Sequence, residues 1–138
     1  MKPRILYHAG YKYQLAEEYI VSVRIKPADD VSNRFICLST DGTLRIRADY
    51  AWDGPSGPTI DTKNFMRGSL VHDALYQLMR EGYLPGSYRD EADDELRRIC
   101  LEDGMSGLRA WWVYQGVRLG GGPAADPRNA RAPVSAPA

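Results

Sequence analysis

The chain has no surplus of either charge: 18 lysines and arginines stand against 18 aspartates and glutamates. With no net field to draw a polyanion from a distance, nucleic-acid binding is not expected. Long apolar runs are missing as well. None approaches the roughly 20 residues that a bilayer-spanning helix needs, so the chain does not read as transmembrane. Cysteine is scarce. Cys37 and Cys100 are far apart in sequence. They can form one bridge at most, which is no disulfide framework, and a reducing compartment is the simplest reading. The opening Met1-Lys2-Pro3-Arg4-Ile5-Leu6-Tyr7 is too short for a secretory signal, and the residues after it are too polar. What remains is ordinary for a soluble globular protein, with 43% hydrophobic and 26% charged residues. A length of 138 residues suits one domain, read as 1–119, with a tail at 120–138.

Residues 5–50 read as β. Tyr11, Tyr13 and Leu15 alternate with polar neighbours, and Tyr19, Val21 and Val23 alternate again. Phe35–Leu38 and Thr43–Ile46 flank Asp41-Gly42, a dipeptide that supplies the positive φ of a tight hairpin turn. Ile36, Leu38, Leu44 and Ile46 are the expected inward positions, with Phe35 and Cys37 competing for that face. The stretch from Asp53 to Asn64, rich in Gly, Pro and Asp, is expected to be a loop. Phe65–Arg80 has the apolar stripe of a helix, stopped by Gly82. A second helix is expected from Ser87 or Tyr88 to about Glu102, with acidic residues in its first turns and Gly104 at its end. Ser106 is a suitable N-cap for a third helix, Gly107–Leu119. That helix is apolar around much of its girth, which predicts burial on more than one side and places Trp111 and Trp112 in the core. The last stretch, Gly, Pro, Ala, Asn and Arg with one valine, is expected to be disordered. The fold class is therefore α+β: a small N-terminal antiparallel β region, a Gly/Pro loop, and three helices.

The residues that carry chemistry cluster between Trp52 and Asp93. Helices joined by a short loop usually lie antiparallel, which would bring His72 level with Asp93. An aspartate on one imidazole nitrogen fixes the tautomer and frees the other nitrogen to take a proton from water. Tyr76, one turn along, would reach Asp93 through its hydroxyl. Asp73 points about 100° away from His72, toward the Asp53–Pro58 loop. A carboxylate with loop carbonyls and water is the oxygen-rich shell that calcium prefers. The plain alternative is structural: the His–Asp pair joins two helices, Asp93 is a first-turn residue or a partner for Arg89 or Arg80, Asp53 forms a turn, Trp52 plugs the core, and Arg97-Arg98 is a solvated face. A metal-dependent phosphohydrolase would need a further histidine, and the other one in the chain, His8, sits in a strand or arm.

Asp53-Gly54-Pro55-Ser56-Gly57-Pro58, His72-Asp73-Ala74-Leu75-Tyr76 and Arg89 with Ala92-Asp93 resemble the signature of a phage and prophage family, domain-of-unknown-function family 1353, over about Tyr11 to Leu119. That resemblance implies a viral or prophage origin. His72-Asp73-Ala74-Leu75-Tyr76, Asp93, Ala110-Trp111 and Tyr114-Gln115-Gly116-Val117-Arg118 also resemble small bacterial secreted phospholipases A2. That likeness implies a carboxylic ester hydrolase with His72 as base, Asp93 as its orienter and Asp73 as a calcium ligand, the calcium shell completed by Asp53 and the Gly54 carbonyl. Disulfides and a signal sequence, which those enzymes carry, are not expected here, and the N-terminal sheet is additional. The expected function is calcium-assisted hydrolysis of a lipid ester on a host membrane during phage entry or lysis, in the host cytoplasm or the virion. The alternative is a non-catalytic virion, tail or assembly component that contacts phage structural proteins.

Overall fold

The computed structural model describes residues 5–8, 13–52 and 63–120. Residues 53–62 of the expected Asp53–Asn64 loop and 121–138 of the expected 120–138 tail, with Asp53, Gly54 and Tyr11, lie outside them. Seven short strands precede three helices: β1 Tyr7–His8, β2 Tyr13–Leu15, β3 Tyr19–Ser22, β4 Val31–Ser32, β5 Ile36–Leu38, β6 Thr43–Ile46, β7 Ala51–Trp52, α1 Lys63–Arg80, α2 Arg89–Glu102 and α3 Gly107–Gly120. The class is α+β, with an antiparallel β region leading into the helices.

The β region is two sheets rather than one, in the orders β1-β2-β7 and β3-β6-β5-β4. The expected hairpin is β5–β6, with Ile36 opposite Ile46 and Leu38 opposite Leu44. All four are fully buried, while Phe35 and Cys37 on the other face are partly exposed. Gly42 closes the turn at φ +89°, and a Cβ there would lie 2.4 Å from the Val23 carbonyl oxygen. Both facts require glycine. Cys37 and Cys100 are free thiols, the second fully buried.

α1 starts at Lys63, so Lys63 and Asn64 join the helix rather than the loop. Helix ends shift by a residue or two where nothing in the sequence blocks another turn. The second helix opens differently from expectation. Gly86–Tyr88 forms a single 3-10 turn, and α2 begins at Arg89. α1 is buried on nearly every side. One side packs on the sheets through Leu70, Val71, Ala74, Leu75, Leu78 and Met79. Trp52 Nε1 donates to Ser69 Oγ at 3.1 Å, and the Tyr50 hydroxyl donates to Gln77 Oε1 at 3.0 Å, so polar groups on the sheet side are bonded to α1. A second, smaller core joins Phe65 of α1 to Leu96 and Cys100 of α2 and to Ala110 and Val113 of α3. No described helix is long and apolar enough to cross a membrane.

α3 departs from expectation. Ala110 and Val113 are its buried residues, and Trp111 and Trp112 are 41% and 63% exposed. A helix apolar on all sides does need cover all round. Among the described residues, α3 has that cover on one side.

Candidate functional site

The site forms where α1 crosses α2. Gly68, His72 and Tyr76 recur every fourth residue and share one face of α1. Gly68 lies against Leu96 and Cys100 of α2, where an added Cβ would come within 2.9 Å of the Cys100 sulfur and 3.1 Å of Leu96 Cδ1. One and two turns further along α1, His72 and Tyr76 reach Asp93, which is earlier in α2. This order is that of an antiparallel pair. The missing side chain at Gly68 lets the helices approach closely enough for an imidazole to meet a carboxylate. Gly68→Val is expected to lower stability by about 1–3 kcal/mol through overpacking. Urea denaturation would check this, and a stability at or above that of the parent would contradict the close approach.

Asp93 is fully buried and takes three donors. His72 Nε2–H donates to Oδ1 at 2.7 Å, and the Tyr76 hydroxyl donates to the same oxygen at 2.6 Å. Arg118 Nη1 donates to Oδ2 at 2.8 Å from the end of α3, and the same nitrogen lies 2.8 Å from Asp90 Oδ1. Arg89 does not pair with Asp93. Its Nε donates to the Tyr76 hydroxyl at 3.1 Å, and its Nη2 donates to the carbonyls of Val117 and Arg118 at 3.0 and 2.8 Å. One guanidinium thus braces the tyrosine while it caps the open carbonyls at the end of α3, a place that favours a cation.

These contacts set the charges. Burial alone would raise the Asp93 pKa, but the bonds from His72, Tyr76 and Arg118 outweigh it and hold the carboxyl below its ordinary value. Burial works against charge on His72, yet the Asp73 carboxylate beside the ring and the bonded Asp93 carboxylate prevail and raise its pKa. Burial and the bond to Asp93 raise the pKa of Tyr76, which keeps its proton to donate.

With Asp93 ionised, the proton on Nε2 is fixed and Nδ1 is the nitrogen left to accept one. Nδ1 lies 4.0 Å from Asp73 Oδ1. His72 is 7% exposed, and the Asp73 side chain beside Nδ1 is 34% exposed. The structure therefore brings His72, Asp93 and Tyr76 into one bonded cluster and sets Asp73 beside it. Asp53 and Gly54, the other expected calcium ligands, lie outside the described residues. Among the described residues no group of three or more His, Cys, Asp and Glu could hold a metal ion. Calcium takes six to eight oxygens, so in such a shell Asp73 would be one ligand, and the remainder would have to come from residues 53–62 or from water.

Sequence reasoning passed over Arg118 as a member of the site, and it named Arg89 and Arg80 as partners for Asp93. The usable signal for Arg118 was its place in the last turn of a helix with no acid of its own. Arg97-Arg98 is not simply a solvated face: Arg98 bonds Glu95 and Glu102, and Arg97 lies over the Tyr114 ring. Comparison with protein-family models, with curated proteins and with solved structures found no match.

Proposed function

We propose that this chain is a phage-encoded ester hydrolase of the phospholipase A2-like kind, in which His72 activates water for attack on a lipid ester. The bond from His72 Nε2 to the buried Asp93 carboxylate carries this reading, because it leaves Nδ1 as the proton acceptor. In the proposed step Nδ1 takes a proton from water, and the water oxygen bonds to the ester carbonyl carbon. The tetrahedral intermediate then collapses, the acyl carbon–oxygen bond breaks, and the proton passes from Nδ1 to the leaving alkoxide. The products are a fatty acid and a lysolipid. Asp93 holds the ring in the required tautomer and stabilises the imidazolium that forms. Tyr76 and Arg118 fix Asp93 in turn. A calcium ion, held by Asp73 with Asp53 and the Gly54 carbonyl, would supply a Lewis acid for the oxyanion.

Hydrolysis of phospholipid vesicles by purified protein with calcium is the direct test. The parent is expected to release fatty acid, and His72→Ala to lower the rate by about a hundred- to ten-thousand-fold. Calcium should raise the melting temperature of the parent and not of Asp73→Asn, through binding linkage. Equal release from parent and His72→Ala, or none from either, would remove the catalytic reading.

One observation favours a second reading. Asp93 is saturated by three donors from two other helices, which suits a structural clasp in a non-catalytic virion or assembly component. In that case His72→Ala lowers thermal stability, calcium does not raise it, and no ester is cleaved by either protein.

A further inference from the structure

Asp93 meets α1 through Oδ1, which accepts from His72 Nε2 at 2.7 Å and from the Tyr76 hydroxyl at 2.6 Å. Two donors on one oxygen hold that atom but leave the carboxylate free to turn about it, because the terminal torsion of an aspartate is soft. Turning matters, since a donated hydrogen prefers to lie near the plane of the group that accepts it. The plane is set from the third helix. Arg118 Nη1 donates to Oδ2 at 2.8 Å, and the same nitrogen lies 2.8 Å from Asp90 Oδ1. Asp90 and Asp93 stand three residues apart on α2 and so share a face, which lets one guanidinium nitrogen bridge both.

Arg118 is itself held. Arg89 Nη2 donates to the carbonyl oxygens of Val117 and Arg118 at 3.0 and 2.8 Å, and its Nε donates to the Tyr76 hydroxyl at 3.1 Å. The contacts close into a ring: Tyr76 to Asp93, Asp93 to the Arg118 side chain, the Arg118 carbonyl to Arg89, and Arg89 back to Tyr76. A closed ring fixes each member at two points, so a shift in the last turn of α3 reaches the carboxylate and the tyrosine together. Earlier in α3, Ala110 and Val113 lie in the smaller core, with Val117 against it, and they fix where that last turn arrives. The Arg118 side chain is 29% exposed and that of Asp90 is 73% exposed, so their ion pair adds little to stability. Losing Arg118 still leaves Asp93 both donors on Oδ1. The fold then survives while the plane of the carboxylate is released.

We infer that the last turn of α3 belongs to the catalytic machinery, with Arg118 as a positioning residue that turns the Asp93 carboxylate to face His72 Nε2, and Arg89 as the residue that seats Arg118. The catalytic meaning of this alignment rests on the hydrolase reading, but the alignment itself does not, so it is measured on its own.

Proton–nitrogen NMR of full-length His8→Ala protein, in which His72 is the remaining histidine, follows the Nε2 proton. In this background the proton is expected downfield and in slow exchange with water. Arg118→Met keeps the apolar stem and removes the donors. It should fold, and its Nε2 proton should exchange at least about tenfold faster, since a hydrogen bond to a charged group is worth more than the free energy of a tenfold change. Arg118→Lys should restore slow exchange, because Nη1 makes both ion pairs and an ammonium can copy a single nitrogen. A merely structural arginine would lower the melting temperature and leave the proton as protected as before. In vesicle hydrolysis, Arg118→Met should lower kcat by about ten- to a hundredfold with KM unchanged, and Arg118→Lys should recover most of it. Unchanged protection in Arg118→Met, a loss that lysine does not restore, or an Arg118→Met chain that does not fold would each overturn the inference. So would an Arg118→Met kcat equal to that of an active parent. If the parent cleaves no ester, the hydrolase reading falls alone, and protection lost in Arg118→Met and regained in Arg118→Lys leaves the alignment standing.

Discussion

Asp93→Ala is expected to destabilise the protein by about 3–5 kcal/mol, the cost of breaking a buried charge pair by removing one partner. The carboxylate is fully buried, and its loss strands the Nε2 proton of His72, the Tyr76 hydroxyl and one arm of Arg118 together. His72 and Tyr76 were desolvated on folding and lose their acceptor, while Arg118 keeps Asp90 Oδ1 at 2.8 Å. The effect has a definite pH dependence. The Asp93 carboxyl is held below its ordinary value of 3.8 by the donors that face it, His72 and Tyr76 from α1 and Arg118 from α3. Its stabilisation is therefore complete above about pH 4 and is lost as pH falls through the lower folded value. Because Asp93 also helps raise the His72 pKa above 6.5, urea denaturation of parent and variant should show a deficit that grows as pH falls toward about 6, stays constant down to about pH 4 and closes only in stronger acid. A deficit below about 1 kcal/mol at neutral pH would mean that the cluster contributes no more than a solvated surface pair.

Arg67→Met is the second large effect, expected at about 3 kcal/mol or more. Arg67 sits on α1 and is almost wholly buried. Its Nε and Nη2 donate to both oxygens of Asp103 at 3.0–3.2 Å, Nη2 also donates to Glu102 at 2.8 Å, and Nη1 donates to the Tyr19 hydroxyl of β3 at 2.9 Å. One planar fork thereby ties a sheet to the end of α2 through α1. Methionine keeps the stem packing and removes the fork, leaving a buried hydroxyl and a largely buried carboxylate unpaired. Burial holds the Tyr19 pKa above its ordinary value, so the hydroxyl stays protonated when its partner goes. Arg67→Lys should recover little, because one ammonium cannot serve three acceptors in that plane. If lysine restored most of the stability in urea melts, charge alone would suffice and the geometry of the fork would not matter.

How far the sequence could be read depended on the range of the interaction. The β5–β6 hairpin was legible because its information is local: an Asp-Gly turn and alternating residues on both sides. The stripe of α1 and the stops at Gly82 and Gly104, with φ of +82° and +96°, were legible for the same reason. The division of the β region into two sheets was not, since β2 pairs with β7 across more than 30 residues, and strands of two or three residues carry little pattern. His72 and Asp93 could be brought together by antiparallel reasoning alone. Arg118 could not, because its reach to Asp93 depends on how α3 crosses the other two helices. Glu95 has no local signal either: it is buried and accepts the Arg24 backbone N–H at 2.7 Å, a partner 71 residues away. The tryptophans of α3 show the converse. Composition says that an apolar face wants a partner, but not whether the partner is the protein's own core.

The central claim is that Asp93 holds the proton of His72 on Nε2 and leaves Nδ1 bare to accept another. Nitrogen-15 NMR of the imidazole rings, taken where His72 is neutral, reads this directly. With two histidines in the chain, His8→Ala assigns the signals. The expected spectrum shows His72 with its proton on Nε2 and an unprotonated Nδ1, and Asp93→Asn should disturb that preference. A proton on Nδ1, or a ring indifferent to Asp93→Asn, would contradict the claim.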